Sequence, residues 1–141
     1  MIQVQEITDR DKDKAKNFAD SEWGRFNNEK GYSYKDEKYV YIALLDGKMA
    51  GYLNFKINGG AAFLSELIVL KELRHQRIGE NLIKKFEEIA KNKKCHIAYL
   101  ETSEKHNGAL KFYKKYGYKK AATLKNNKSH LKWYFLEKEL K

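Results

Sequence analysis

Residues 61–101 place one strongly amphipathic helix between two apolar strands, and this arrangement constrains the fold more than any other feature of the chain. Apolar residues recur at helical spacing from Ile78 to Ala90, which predicts a helix from about His75 to Asn92 with one buried face. Ala61–Leu70 before it and His96–Glu101 after it are predicted strands. A helix packed on a sheet, and therefore an α/β domain, follows from this pattern.

Further strands and turns are predicted on both sides of this segment. Asp46-Gly47-Lys48 and Asn58-Gly59-Gly60 have the composition of tight hairpin turns. Gly117 stands where a helix is expected to stop. The remaining predicted elements are strands Tyr39–Leu45, Met49–Ile57, Tyr118–Leu124 and Leu131–Glu137 and a helix Asn107–Tyr116.

The first 38 residues have a weaker pattern. Ile2, Val4 and Ile7 predict a short strand, and a helix is predicted from Asp9 to about Asp20. Its inner face would consist of Ala15, Phe18 and Ala19. Residues 21–38 are irregular by pattern, and a second short helix followed by a loop would fit them.

Charge narrows the classes of partner. The net charge of +10 is confined to residues 61–141, because residues 1–60 hold ten basic and ten acidic side chains. Basic runs interleaved with aromatic residues, as in RNA-binding strands, are absent. A nucleic-acid partner is therefore disfavoured, and the excess of positive charge serves an anionic small molecule or only solubility.

The N-terminus lacks the character of a signal peptide, and no apolar stretch is long enough for a membrane span. A single cysteine, the predicted core residue Cys95, fits a cytoplasmic protein, and the histidine spacing predicts no metal site.

The loop that opens the long helix is the predicted anion site. Free backbone N–H groups and the partial positive charge of a helix start suit a phosphate or pyrophosphate. Neither a Walker loop nor a three-glycine dinucleotide motif is present there. Instead, Arg74–Gly79 resembles the Gln/Arg-x-x-Gly-x-Gly/Ala signature of the GNAT superfamily of acyl-CoA-dependent N-acetyltransferases, with Arg77 in place of the first glycine. If that position demands a positive φ, Arg77 costs stability.

A second segment also resembles this superfamily. Asn107–Tyr118 is similar to its later motif, Asn-x-x-Ala-(Ile/Leu)-x-x-Tyr-x-x-x-Gly-Phe. The asparagine is one residue too close to the tyrosine, so the pantetheine-contacting role falls on either His106 or Asn107. The resemblance covers about Tyr39 to Leu140.

The resemblance implies a GNAT-like fold: a mixed, mainly antiparallel, twisted sheet of about six or seven strands, flanked by about four helices and splayed at its central strands. It implies one domain over residues 1–141, with residues 1–38 as the variable acceptor side and residues 39–141 as the cofactor-binding part. It also implies acetyl-CoA as cosubstrate, with no metal. The implied cofactor-binding residues are Leu67, Ile68, Val69, Arg74, His75, Gln76, Arg77, Ile78, Gly79, Glu80, His106, Asn107 and Tyr113.

Three catalytic candidates follow from the same resemblance, together with the Val69 N–H as oxyanion donor. Glu66 and Glu101 match two alternative positions for the base that deprotonates the amine, with Glu66 preferred because it flanks the cofactor strand. Each could instead be a solvated charge at a strand end. Tyr113 is the candidate acid for the leaving thiolate, against a core role.

Two groups of residues have only general assignments. Lys84, Lys85 and the lysines of residues 91–94 form a solvated face or reach the 3′-phosphate of CoA. Trp23, Phe26, Tyr32 and Tyr34 line an acceptor pocket or cap the core.

The predicted function is N-acetyl transfer from acetyl-CoA to a primary amine by direct attack in a ternary complex. The acceptor could be a protein N-terminus or lysine, an amino acid or a small-molecule amine. The predicted protein is a monomer or homodimer without a membrane partner. Two alternatives remain: a CoA-binding protein without catalysis, and a basic nucleic-acid-binding module.

Overall fold

The structure, a computed structural model, describes residues 1–31 and 35–141 in two compact units, residues 1–34 and 35–141. The first unit contains a 3-10 turn, Asp9–Asp11, that leads into helix α1, Lys12–Lys30. Gly31 ends this helix in the left-handed conformation, with its N–H directed at the last carbonyls.

The predictions for the first unit were partly wrong. Residues 1–8 form no strand, because three apolar residues are too few to hold an extended segment that lacks a paired neighbour. The helix starts three residues later than predicted and continues ten residues past Asp20, through the stretch predicted as irregular. Gly24 does not end it, and side-chain pairs one turn apart, such as Lys16 with Asp20, support it.

The predicted inner face of α1 is also not observed. No residue of the helix is buried, and Phe18 is 70% exposed. Two of the aromatic residues assigned to a pocket or the core, Trp23 and Phe26, lie on α1 in edge-to-face contact, 5.7 Å between ring centres. The other two, Tyr32 and Tyr34, lie outside the described residues.

The second unit confirms the predicted α/β class. One sheet has the strand order β1-β2-β3-β4-β6-β5, in which β3 and β4 are parallel and every other neighbouring pair is antiparallel. Counting α1, three α-helices are present in the described residues, one fewer than the predicted four. The elements are β1 (Glu37–Leu45), β2 (Lys48–Asn58), β3 (Ala61–Val69), α2 (Ile78–Asn92), β4 (Ile97–Ser103), α3 (Asn107–Lys115), β5 (Lys119–Leu124) and β6 (Trp133–Glu139).

Tight turns set the register of the first three strands. Asp46 and Gly47 both have positive φ, as do Gly59 and Gly60, so both predicted hairpins form, each closing with two residues where three were predicted. One face of the resulting sheet is apolar and packs against α2. Phe55 of β2 meets Phe86 of α2 edge to face, with 5.0 Å between ring centres.

Helix α2 carries one acidic residue within its buried stripe. Glu87 is 8% exposed, and its two carboxylate oxygens accept hydrogen bonds from the Tyr118 hydroxyl at 3.2 Å and from Nζ of Lys138 at 2.6 Å. Burial and the nearby carboxylate raise the pKa of Tyr118. The three side chains therefore tie α2 to the C-terminal strands without an unpaired buried charge.

Close approach of α2 to β2 depends on Gly51. A Cβ at this position would lie 2.9 Å from Cδ1 of Leu82, 3.1 Å from Cγ2 of Ile78 and 3.2 Å from the Ile68 carbonyl oxygen. We expect Gly51→Ala to lower the free energy of unfolding by about 1–3 kcal/mol, as overpacking does. Gly24→Ala is the matched control, since nothing lies within 4 Å of its Cβ, and should slightly stabilise α1. Urea unfolding of both variants checks this, and equal stabilities would contradict it.

A membrane-spanning segment was not predicted. Within residues 1–31 and 35–141, no helix combines the length and apolar character that a membrane crossing requires.

Candidate active site

Strands β3 and β4 separate in the middle of the sheet. They pair only from Ala61 with Ile97 to Phe63 with Tyr99, after which β3 continues along β2 and β4 continues along β6. The sheet is therefore splayed at its central strands, as the resemblance implied. The second half of β3 presents an open backbone edge to this gap.

Strand alternation identifies the backbone groups on that edge. The Leu70 N–H donates to the Ala50 carbonyl of the β2 side at 2.9 Å. Successive residues of a strand direct their N–H groups to opposite edges, so the N–H groups of Val69 and Leu67 point into the gap. Nε of Arg74 donates to the Val69 carbonyl at 3.3 Å, which fixes the following loop to the end of β3.

This loop adopts a strained backbone. His75 and Arg77 have φ values of +69° and +63°, in the left-handed region that favours glycine. Helix α2 consequently begins at Ile78, three residues later than predicted from the apolar period. The Arg77 carbonyl accepts the first helical bond, from Asn81 at 3.0 Å, which leaves the N–H groups of the first turn without helical partners.

Glycine is therefore the residue that the Arg77 position favours. We expect Arg77→Gly to be more stable than Arg77→Ala by about 1 kcal/mol, since alanine retains the left-handed strain and glycine relieves it. Both variants remove the same charge. Lys91, exposed on the right-handed backbone of α2, is the control, because there glycine should be less stable than alanine. Urea unfolding measures all four variants, and no difference between the two Arg77 variants would contradict the expectation.

The start of α2 packs closely on α3 and is surrounded by cations. A Cβ on Gly79 would lie 3.3 Å from Cε2 of Phe112, which explains a small residue there. Nζ of Lys84 lies 2.7 Å from Oε1 of Glu80, and this hydrogen bond, with the charges of Arg77 and Lys115, lowers the Glu80 pKa. This combination of free N–H groups and basic side chains suits an anion.

Both candidate bases lie on the same face of the sheet. Nζ of Lys56 lies 5.6 Å from the ring centre of Phe63, and Phe63 contacts Tyr99 across the last β3–β4 pair at 4.9 Å. Glu101 follows Tyr99 by two residues and shares its face. Asn54 is two residues from Lys56, and its Nδ2 donates to Glu66 at 3.2 Å, which places Glu66 on that face as well. The two carboxylates therefore flank the gap, one on each separating strand.

Their partners differ. Glu66 accepts a neutral amide hydrogen bond from Asn54 and is exposed. Oε1 of Glu101 forms an ion pair with Nζ of Lys128 at 3.0 Å. An acceptor amine could approach Glu66 without displacing a charged partner from the described residues, whereas at Glu101 it would have to displace Lys128.

Tyr113 lies in α3 among aromatic rings. Its ring centre is 5.2 Å from that of Phe112 and 5.7 Å from that of Tyr118, and burial raises its pKa to about 12. Within the described residues its hydroxyl forms no hydrogen bond. The phenol is therefore protonated at neutral pH with its proton uncommitted.

His106 and Asn107 form the start of the same helix. His106 is the residue before its first turn and accepts the first helical hydrogen bond from Leu110 at 3.0 Å, while Asn107 is the first helical residue. Helix α3 ends at Lys115, one residue before the prediction, and Gly117 follows with φ +94° as predicted. Which of the two residues contacts pantetheine stays a prediction.

Three of the five lysines assigned to a solvated face or a phosphate form ion pairs with acidic residues. Lys84 pairs with Glu80, Lys85 with Glu88, and Lys93 with Glu37.

Cys95 is buried as predicted, and burial raises the pKa of its thiol. Among the residues that the structure describes, no cluster of His, Cys, Asp or Glu is arranged to hold a metal ion.

Sequence comparison supports the resemblance. The profile of the Acetyltransferase (GNAT) family matches residues 3–118. The Xenopus laevis protein named "Probable N-acetyltransferase camello" is 30% identical over 96 residues, which cover 66% of this chain. The match spans 44% of that relative, less than half its length.

Structural comparison gives the same fold. An acetyltransferase from Bacillus cereus superposes with a TM-score of 0.79 at 22% identity, over 99% of this chain and 98% of its own. PaiA N-acetyltransferase from Thermoplasma acidophilum, solved with coenzyme A, superposes with a TM-score of 0.64 at 24% identity, over 73% of this chain and 61% of its own.

Proposed function

Because this chain belongs to the acetyltransferase (GNAT) family, we propose that it transfers an acetyl group from acetyl-CoA to a primary amine in a ternary complex. The observation that carries the proposal is the gap between β3 and β4. It joins an unpaired strand edge, a free helix start and two carboxylates around one opening. The proposed location is the cytoplasm, in line with the single reduced cysteine.

The cofactor is held mainly by backbone. Residues 67–69 pair with the amide groups of the pantetheine arm, and the first turn of α2, with the loop from Arg74, binds the pyrophosphate. His106 or Asn107 contacts the arm from α3. PaiA N-acetyltransferase shares the fold and was solved with coenzyme A, which supports acetyl-CoA as the cosubstrate.

Transfer then needs three groups. Glu66 takes a proton from the acceptor ammonium, directly or through water, and the free amine attacks the thioester carbonyl carbon. The Val69 N–H, which points into the gap, stabilises the tetrahedral oxyanion. As the C–S bond breaks, Tyr113 gives its proton to the CoA thiolate and regains one from the nitrogen of the new amide. The products are an N-acetylated amine and CoA thiol.

Thiol release from acetyl-CoA tests the proposal. Purified protein is mixed with acetyl-CoA and separate acceptors: a peptide with a free N-terminus, a peptide with one lysine, an amino acid and an alkylamine. Acceptor-dependent release with a matching acetylated product supports the proposal. Tight CoA binding without release under any acceptor would favour a catalytically silent CoA-binding protein. Salt-dependent binding of DNA or RNA that is stronger than CoA binding would favour a nucleic-acid module.

A further inference from the structure

The Glu101 carboxylate already binds an ammonium group of the same chain. Nζ of Lys128 lies 3.0 Å from Oε1 of Glu101 and 4.9 Å from the ring centre of Trp133. A carboxylate together with an aromatic face is a site that recognises an alkylammonium through charge and cation–π attraction. We call Glu101, Lys128 and Trp133 the ammonium clamp.

The clamp lies beside the β3–β4 gap. Glu101 is two residues beyond Tyr99, the last β4 residue paired with β3. Trp133 pairs with Ser103 on the neighbouring strand, which makes it the diagonal neighbour of Glu101 on the same face. An ammonium bound there would therefore lie on the face that carries both candidate bases.

The turn that supplies Lys128 is strained. Ser129 and His130 have φ values of +60° and +58°, two successive non-glycine residues in the left-handed region. Trp133 Nε1 donates to the Lys128 carbonyl at 3.1 Å, and the Asn127 N–H donates to the Leu131 carbonyl at 2.9 Å. Such strain persists where surrounding contacts hold it, and it is common at ligand clamps.

The two charged partners differ in exposure. The Lys128 side chain is 61% exposed, whereas that of Glu101 is 28% exposed. The lysine can therefore swing into solvent while the carboxylate and the indole remain in the sheet. Departure of Lys128 would leave a preformed site of the shape and charge that its own side chain fits.

We propose that Glu101 and Trp133 bind the ammonium of the acceptor, and that Lys128 occupies this site in the free protein as an internal competitor. The proposal rests on the function proposed above and names its substrate class. The fitting acceptor carries a primary ammonium on an unbranched alkyl chain, as a lysine side chain or a simple alkylamine does. A peptide whose only amine is a branched α-amino group should be a poorer acceptor.

Lys128→Met tests the competition, because methionine retains an apolar stem without the charge. At saturating acetyl-CoA, the KM of Lys128→Met for n-butylamine should be about fivefold lower than that of the wild-type protein, with kcat nearly unchanged. This is the effect of removing one weak competing contact. Lys125→Met is the control: it removes the same charge from the same β5–β6 connection, and Lys125 forms no ion pair within the described residues. An unchanged or higher KM in Lys128→Met, or an equal fall in Lys125→Met, would overturn the proposal.

Binding can also be read without turnover. The chain has two tryptophans, so in a Trp23→Phe background the emission reports on Trp133 alone. Added n-butylammonium should change this emission saturably in Lys128→Met, and at least fivefold more weakly when Glu101→Gln is added. The uncharged 1-butanol should have no such effect. Absence of a response in a folded Lys128→Met variant would overturn the clamp, whereas a response in a protein that releases no thiol from acetyl-CoA would contradict only the proposed function.

Discussion

Glu66→Gln is expected to lower kcat/KM at pH 7 by a factor of about 10²–10⁴, the contribution of a positioned general base. The alkyl ammonium acceptor has a pKa near 10, so without a base only its small neutral fraction reacts. The residual rate should therefore rise about tenfold per pH unit below that pKa. In the wild-type protein the carboxylate takes the proton from the bound ammonium, so the rate should depend much less on pH over this range than in Glu66→Gln.

Two further variants separate the base from its neighbours. Glu101→Gln should raise KM for the amine and keep the shallow pH dependence of the wild-type rate, because its carboxylate is assigned to binding. Asn54→Leu keeps the Glu66 carboxylate but removes its 3.2 Å hydrogen bond, so kcat should fall only a few-fold. A rise of about tenfold per pH unit in Glu101→Gln instead of Glu66→Gln would exchange the two assignments. Unchanged pH–rate profiles in both glutamine variants would remove carboxylate catalysis from the mechanism.

The sequence predicted what local periodicity controls. Strands β1 to β4, the positions of both hairpins and the body of α2 follow from alternation, turn residues and the helical apolar stripe. The apolar stripe did not predict the start of α2 correctly, because it contains no information on the positive φ of Arg77. Local periodicity also failed in residues 1–31, where few apolar residues decide between strand, helix and loop.

The candidate site was predictable only where it is formed by one segment. Motif matching located the edge of β3, the loop and the helix start, since these are contiguous in the chain. It did not reveal the partners of the two carboxylates, because Lys128 is 27 residues from Glu101 and Asn54 is 12 residues from Glu66. Likewise, the buried Glu87 lies 31 residues from Tyr118 and 51 from Lys138. Such pairings depend on tertiary packing, which local pattern does not encode.

Tyr113→Phe is expected to lower kcat about 10- to 100-fold, as loss of a proton donor to the departing thiolate would do. The phenyl ring keeps its packing against Phe112 and Tyr118, so KM for acetyl-CoA should change less than about twofold, as for an interaction made only in the transition state. Tyr118→Phe is the matched control. It removes a buried hydroxyl that donates to Glu87, so it should cost stability and leave kcat nearly unchanged.

The raised pKa of Tyr113, about 12, makes the same assignment testable by pH. A proton donor with this pKa stays protonated through pH 10, so its ionisation gives kcat no alkaline limb below that pH. Stability also depends on this pKa. Below pH 10 the tyrosine is protonated in both the folded and the unfolded protein, and between pH 10 and 12 the unfolded tyrosine ionises first. The free energy of unfolding should therefore fall by about 3 kcal/mol over that interval through this group, and less in Tyr113→Phe. A kcat limb near pH 9 that disappears in Tyr113→Phe would instead show that the phenolate is the reacting form and would exclude Tyr113 as the acid.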